Sequence, residues 1–373
     1  MPQVQEPNGR NFRSLGVERE GQMFFFEYEE APLREGEFKV ETLYTGLSAG
    51  TELTFFKGTN PYLHSSWDAD FGVFREGEPS ARFPVNFLGY METGRVVESR
   101  TPVIREGETV AMIYGHKTQH IANPLHEFFV PVPEDIDPIL GIYIAQMGPI
   151  CANGLLHAAA DLVGQNIYDL GDGVRGRNVL VTGAGVIGLI TGLFALHHGA
   201  ANVAVADTTP ERLAAARALG LASIDENETE VWRYCKERWH AGAGDRGADV
   251  VFQCRGQAAS LQTALQGLRP QGTVIDLAFY QGGLPEVRLG EEFHHNGLKI
   301  MCAQIGRVPR GLAHLWNRGR LALETIELLR AKGKLIREHL ITDVVPFDDA
   351  LDLIADLAAR RRHVLQAVFE VAR

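Results

Sequence analysis

The sequence predicts an α/β protein in which a doubly wound parallel-sheet domain interrupts a β-rich domain. Three observations carry that expectation. The first third of the chain alternates short β-type runs with turn residues, and from about residue 178 the rhythm becomes strand-then-helix. At the first such strand–helix join stands a glycine-rich turn. A length of 373 residues allows two or three domains, each with its own core. The 45% hydrophobic and 22% charged fractions exclude a mainly disordered chain. Against 47 Asp and Glu there are 36 Lys and Arg, a net charge of −11, which excludes a generic nucleic-acid surface.

In the β-rich third, residues 23–28, 37–43, 94–98, 109–113 and 127–132 read as strands, with Pro32, Gly36, Pro102, Gly107, Pro131 and Pro133 between them. Residues 57–84 show little periodicity and read as a long loop of the kind that covers a site or moves. Residues 178–182 (NVLVT) then read as a buried strand, 189–198 as a helix and 202–206 (NVAVA) as the next strand. Pro210 opens a helix over 211–219, and further strands are expected at 248–252, 273–278 and 298–305. The C-terminal stretch reads as a helix over 320–332, a strand over 340–345, a helix over 347–360 and a strand over 365–371. Cysteines 151, 235, 254 and 302 show no Cys-x-x-Cys spacing, which fits reduced thiols in a cytoplasm. No run approaches the ~18 apolar residues of a membrane span. Residues 1–16 lack the short apolar core of a signal peptide, so a cytoplasmic protein is expected.

Gly183-Ala184-Gly185-Val186-Ile187-Gly188 follows a β-branched strand and precedes a helix, the context that makes a G-x-G-x-x-G match specific. The first glycine permits a tight turn, the second lets backbone approach a pyrophosphate, and the third allows close helix–strand contact. At the end of the next strand stands Asp207, whose carboxylate suits a ribose diol and repels a 2′-phosphate. NAD is therefore the expected cofactor. Asp207 also fits a helix N-cap before Pro210. Arg212 is placed to reach the ribose edge, to pair with Glu211 or to face water. By topology, Cys254 and the run Ala278, Phe279 and Tyr280, at the ends of later strands, border the nicotinamide, with the Cys254 thiol itself expected to be inert.

With this turn placed mid-chain behind a β-rich region, the sequence resembles the medium-chain dehydrogenase/reductase superfamily, the relatives of zinc alcohol dehydrogenase. Residues 45–53 (TGLSAGTEL) resemble its catalytic-zinc turn, and 89–96 (GYMETGRV) resemble its GHExxGxV element. Residues 141–157 resemble the segment leading into the first Rossmann helix, and 340–350 (LITDVVPFDDA) resemble its late strand and helix. The resemblance runs from about residue 15 to the end. It implies a GroES-like catalytic domain over 1–157 and 306–373, a Rossmann domain over 158–305, and a homodimer formed through the strand at 298–305. The metal ligands are not matched. Ser48 or Ala49 stands where the family has Cys, Tyr90 where it has His, and Pro149 nearest the third ligand, while the four-cysteine structural lobe is missing. The sequence is thus similar to a zinc-free branch, the bacteriochlorophyllide dehydrogenase-like members.

Without a metal, side chains must move the proton and polarise the carbonyl. The candidates are Tyr90, Thr51, Ser48, His116 and His120. Thr51 matches the hydroxyl that relays the substrate proton in relatives, though it also fits a helix cap. Tyr90 takes the former ligand position, either as a working hydroxyl or as filler. His116 and His120 titrate in the useful range, or are loop histidines bonded to backbone. With His64 or Cys151 they are also the set from which a metal site could be assembled. The expected function is zinc-independent, NAD-dependent interconversion of a secondary alcohol and a ketone on a polar, sugar- or polyol-like small molecule. No nucleic-acid or membrane partner is expected. Two alternatives stand: an NADPH-dependent alkene or quinone reductase of the same superfamily, and an NAD-binding protein without catalysis.

Overall fold

The computed structural model describes residues 12–280, 284 and 286–371, so most of the N-terminal stretch read for a signal peptide lies outside the described residues. The chain forms two compact units. The first comprises the residues up to Val132 with Val345–His363 and those from Val368 on, and the second comprises Pro133–Val344 with Val364–Ala367.

In the first unit the strand Phe38–Gly46 is central. It pairs antiparallel with Glu92–Ser99 on one side. On the other side its first half meets Gln119–Ala122, while Tyr44, Thr45 and Gly46 face Glu370, Phe369 and Val368. Thr109–Met112 continues the sheet beyond Glu92–Ser99. Alternating residues Phe38, Val40, Val96, Val110 and Met112 fill the core, as the two-residue period of strands dictates. The strand expected over 127–132 is cut to Val130–Pro131. Asn123 accounts for the loss: its carbonyl accepts the N–H groups of His126 and Glu127, folding a turn where extension was expected. The long loop is also more ordered than its pattern suggests, with a turn at Pro61–Leu63 and a hairpin of Ser65–Asp68 with Val73–Glu76. One helix, Ala49–Phe56, follows the central strand.

The second unit holds six parallel strands in the order Ala222–Asp225, Asn202–Asp207, Asn178–Thr182, Ala248–Gln253, Leu268–Asp276 and Lys299–Cys302. This is the doubly wound order, in which the direction of winding reverses beside the first strand. Val179, Leu180 and Val181 are wholly buried, as a strand covered on both faces requires. Packing draws the boundary between units elsewhere than the expected division at residues 157 and 306. Helices Met147–Val163 and Arg318–His339 belong by their contacts to the second unit. They approach so closely that a Cβ on Gly148 would lie 2.2 Å from the Thr325 side chain. The long helix overruns its expected end at 332 because Gly333 sits against Leu140, where a side chain would not fit.

Candidate active site

Two constellations, one in each unit, gather the residues that the sequence singles out. In the first unit the turn after the central strand leads into helix Ala49–Phe56, with Ser48 at its N-cap. The Ser48 side chain makes no capping bond; instead its backbone N–H is taken by Glu52 Oε1 at 2.7 Å. That frees the Ser48 hydroxyl, which hydrogen-bonds the Tyr90 hydroxyl. The Thr51 hydroxyl lies 3.4 Å from the same phenol oxygen. Three of the candidate hydroxyls thus converge on one point. Burial raises the Tyr90 pKa; the Ser48 and Thr51 hydrogen bonds oppose this, and nearby Glu52 and Glu92 reinforce it. Tyr90 is therefore a neutral phenol at physiological pH.

His116 lies beneath this cluster. Gly89, with φ of +92°, lets the chain turn over it, and a Cβ there would be 2.9 Å from the imidazole. The ring is fully buried, bonded through Nε2 to Glu52 Oε2 at 2.6 Å and through Nδ1 to Thr45 Oγ1 at 2.5 Å. Thr45 in turn donates to Glu92 Oε1 at 3.0 Å. When Glu92 is ionised, a hydroxyl that gives its proton to it accepts from Nδ1, and the Glu52 carboxylate accepts from Nε2, so both ring nitrogens then carry hydrogen. Burial opposes that charge, but Glu52 and then Glu92 override it and the His116 pKa is raised. Glu92, wholly buried, is pushed up to about 7 by desolvation, and its Oε2 has no partner among the described residues.

His120 does not join this group. It sits on the strand Gln119–Ala122, its Nε2 2.6 Å from Glu127 and its ring stacked on Tyr114 at 4.6 Å. The backbone-bonded alternative fits neither histidine, because the partners of both rings are side chains. His64 hydrogen-bonds the Gly58 carbonyl. Cys151 is buried, with its thiol pushed up to about 12, which disfavours the thiolate a metal needs. Among the described residues no group of three or more His, Cys, Asp or Glu could hold a metal ion. The residues present do not fit zinc.

In the second unit the glycine turn has the geometry that its sequence implies. Gly183 adopts φ of +100°, Gly185 is the N-cap of helix Val186–His197, and Ala184, Val186 and Ile187 complete the turn. A Cβ on Gly188 would lie 1.8 Å from the Gly183 carbonyl oxygen, whereas one on Gly185 would meet nothing within 4 Å. The middle glycine therefore faces open space at a helix N-terminus, a cradle that fits a diphosphate. Asp207 is 1% exposed and densely bonded. Its Oδ1 accepts the N–H groups of Thr208 and Thr209, and its Oδ2 accepts that of Ala184 at 2.8 Å. The N-cap of the following helix is Thr209, so the carboxylate ties the glycine turn to its own strand end rather than capping that helix. Burial works against its charge, but the Ala184 N–H and Arg255 hold its pKa below the usual range. Arg212 comes within 3.8 Å and Arg255 within 3.1 Å. Burial raises the Cys254 thiol well above its ordinary pKa, so the residue offers backbone rather than thiolate. Ala278 N–H is held by Asp276, and Phe279 is half exposed.

The sequence shows Thr45, Glu52 and Glu92 only as members of motifs and Arg255 only as backbone beside the nicotinamide, and gives no role to Glu226. The His116–Glu52 bond spans 64 residues and the His116–Thr45 bond 71, and no local pattern reports such distances.

Residues 186–315 match the family described as zinc-binding dehydrogenase. The chain is 28% identical over 330 residues to D-guloside 3-dehydrogenase of Escherichia coli, spanning 86% of this chain and 89% of that one. Its fold matches galactitol-1-phosphate dehydrogenase of Escherichia coli with a TM-score of 0.73 at 16% identity, over 96% of this chain and 99% of the other. An alcohol dehydrogenase from Escherichia coli, solved with NADH, matches with a TM-score of 0.67 at 19% identity, over 97% of this chain and all of the other.

Proposed function

We propose that this chain is a member of the medium-chain dehydrogenase/reductase superfamily, on the zinc-binding dehydrogenase match over residues 186–315 and the likeness to D-guloside 3-dehydrogenase over most of the chain. From that premise we propose a zinc-independent, NAD-dependent oxidoreductase that interconverts a secondary alcohol and a ketone on a sugar- or polyol-like small molecule. The observation that carries the reading is the convergence of the Tyr90, Ser48 and Thr51 hydroxyls at the position where zinc relatives place a metal ligand. The likeness to a guloside dehydrogenase over most of the chain supports a sugar alcohol as substrate.

A bound nicotinamide supplies or accepts the hydride. The chain's own residues do the rest. Tyr90, as a neutral phenol, donates a hydrogen bond to the substrate oxygen and delivers its proton as negative charge develops there. Ser48 and Thr51 stabilise the phenolate left behind. His116 is a positioning residue: through Glu52 it fixes the Ser48 backbone, and it underlies the turn that carries Tyr90. In the other unit, backbone N–H groups of Ala184 to Gly188 would hold the diphosphate and Asp207, with Arg212 beside it, the ribose. Cys254, Ala278 and Phe279 would border the nicotinamide. The raised pKa of Tyr90 favours carbonyl reduction at neutral pH, because its base form is scarce there. Alcohol oxidation is expected to climb through the alkaline range.

We further propose a homodimer through Lys299–Cys302, the last strand of the parallel sheet among the described residues. A cytoplasmic location rests on the sparse free cysteines. Among the described residues, no helix is long and apolar enough to cross a membrane.

The test is NADH absorbance on a panel of glycosides, polyols and their keto forms, with protein dialysed against EDTA. Turnover unaffected by the chelator is expected. Chelator-sensitive turnover would reject the zinc-free reading. Oxidation of NADPH with alkenes or quinones would establish the reductase alternative, and NADH binding without any turnover the non-catalytic one.

A further inference from the structure

We propose that Arg255 determines how strictly this protein separates NAD from NADP, by competing with the ribose diol for Asp207 and offering a partner to a 2′-phosphate. The inference rests on the dinucleotide reading above and refines it at the adenosine ribose.

The carboxyl ends of four parallel strands meet here, carrying Gly183, Asp207, Glu226 and Arg255. Arg255 bridges two of them, with Nη2 3.1 Å from Asp207 Oδ2 and Nη1 3.3 Å from Glu226 Oε2. It also lies against the glycine turn, where a Cβ on Gly183 would come within 3.0 Å of the Arg255 Cβ. Its side chain is 17% exposed, so the bridge is largely withdrawn from water. A guanidinium fork suits this double engagement, and it equally suits phosphate oxygens.

The remaining bonds of Asp207 come from backbone N–H groups of the turn and the strand end. Those donors cannot leave without unfolding the turn, whereas a guanidinium on a flexible stem can. A ribose diol therefore gains Asp207 Oδ2 by displacing Arg255. A 2′-phosphate meets Arg255, with Arg212 3.8 Å from the same carboxylate, instead of an unbalanced negative charge. Both effects push toward tolerance of NADP. The acidic neighbours push the other way: Glu226, Asp225, which acts on Glu226, and Glu211 on the facing helix. Glu226 Oε1 is buried without a partner among the described residues, so the removal of Arg255 leaves two carboxylates facing the 2′ position.

The test is binding, read from the fluorescence of NADH and NADPH on the complete protein without substrate. The parent is expected to bind both, NADH the more tightly but by no more than about tenfold. Arg255→Gln is expected to raise the ratio of the NADPH Kd to the NADH Kd by about tenfold or more. Glu226→Gln, which releases one anchor of Arg255, is expected to move the ratio in the opposite direction. Circular dichroism establishes which variants are folded. A ratio unchanged in every folded variant overturns the role of Arg255, and a parent that binds neither dinucleotide overturns the cofactor reading itself.

Discussion

The glycine turn of the parallel-sheet unit and the hydroxyl cluster of the β-rich unit work with different atoms. The turn acts through backbone: N–H groups at a helix start, with glycines where a Cβ would collide or obstruct. The cluster acts through side chains carried by a helix N-cap and a neighbouring strand entry, braced from below by His116. A backbone site tolerates little change at its glycines and almost any change beside them. A side-chain site can exchange its chemistry while the sheet that presents it is kept.

The contrast can be broken most severely at Gly188. Gly188→Val puts a Cβ where only 1.8 Å separates it from the Gly183 carbonyl, so NADH affinity is expected to fall by about 100-fold or more. A fluorescence titration reads this directly, and retained affinity would move the cofactor away from the turn. Tyr90→Phe should leave NADH affinity intact and reduce kcat by about 100-fold, the scale of a lost proton donor. Steady-state kinetics check both halves, and a fully active variant would make Tyr90 mere packing. His116→Asn leaves Glu52 buried without its counter-charge and should destabilise the first unit by about 3–5 kcal/mol in urea unfolding. Adding Glu52→Gln should recover part of that loss, and recovery of none would show that the pair is not coupled.

The mildest test is pH. Glu92 is pushed up to about 7 from an ordinary value of 4.5 by burial, and the His116 pKa is raised by its carboxylates. Both native states hold protons more tightly than the unfolded chain does. Their contribution to stability is therefore complete at low pH and is lost as pH rises through the native values. For Glu92 the loss falls between about pH 4.5 and 7. Glu92→Gln should flatten this slope in thermal melts, and an identical slope would relocate its source.

The two regions also differed in how much of them could be read in advance. The turn, the strand before it and Asp207 lie within 30 residues, and local spacing reports them. The long helix was visible but its end was not, because Gly333 marks a close approach to Leu140 rather than a stop. The strand expected over 127–132 was lost to a turn whose closing bonds involve a single residue, Asn123. Tyr90, Ser48 and Thr51 could be named from the motif each sits in, yet nothing in those motifs shows that the three oxygens meet.

From its residues alone this chain determined the parallel-sheet domain, the glycine turn and the set of candidate hydroxyls. Steric freedom, hydrophobic period and side-chain chemistry are properties of neighbouring residues. Tertiary structure decided which carboxylate meets which basic side chain: Glu52 with His116, Glu127 with His120, and Asp207 with Arg255. Charge pairing depends on distance in space and on exclusion of water, and neither exists until the chain has folded.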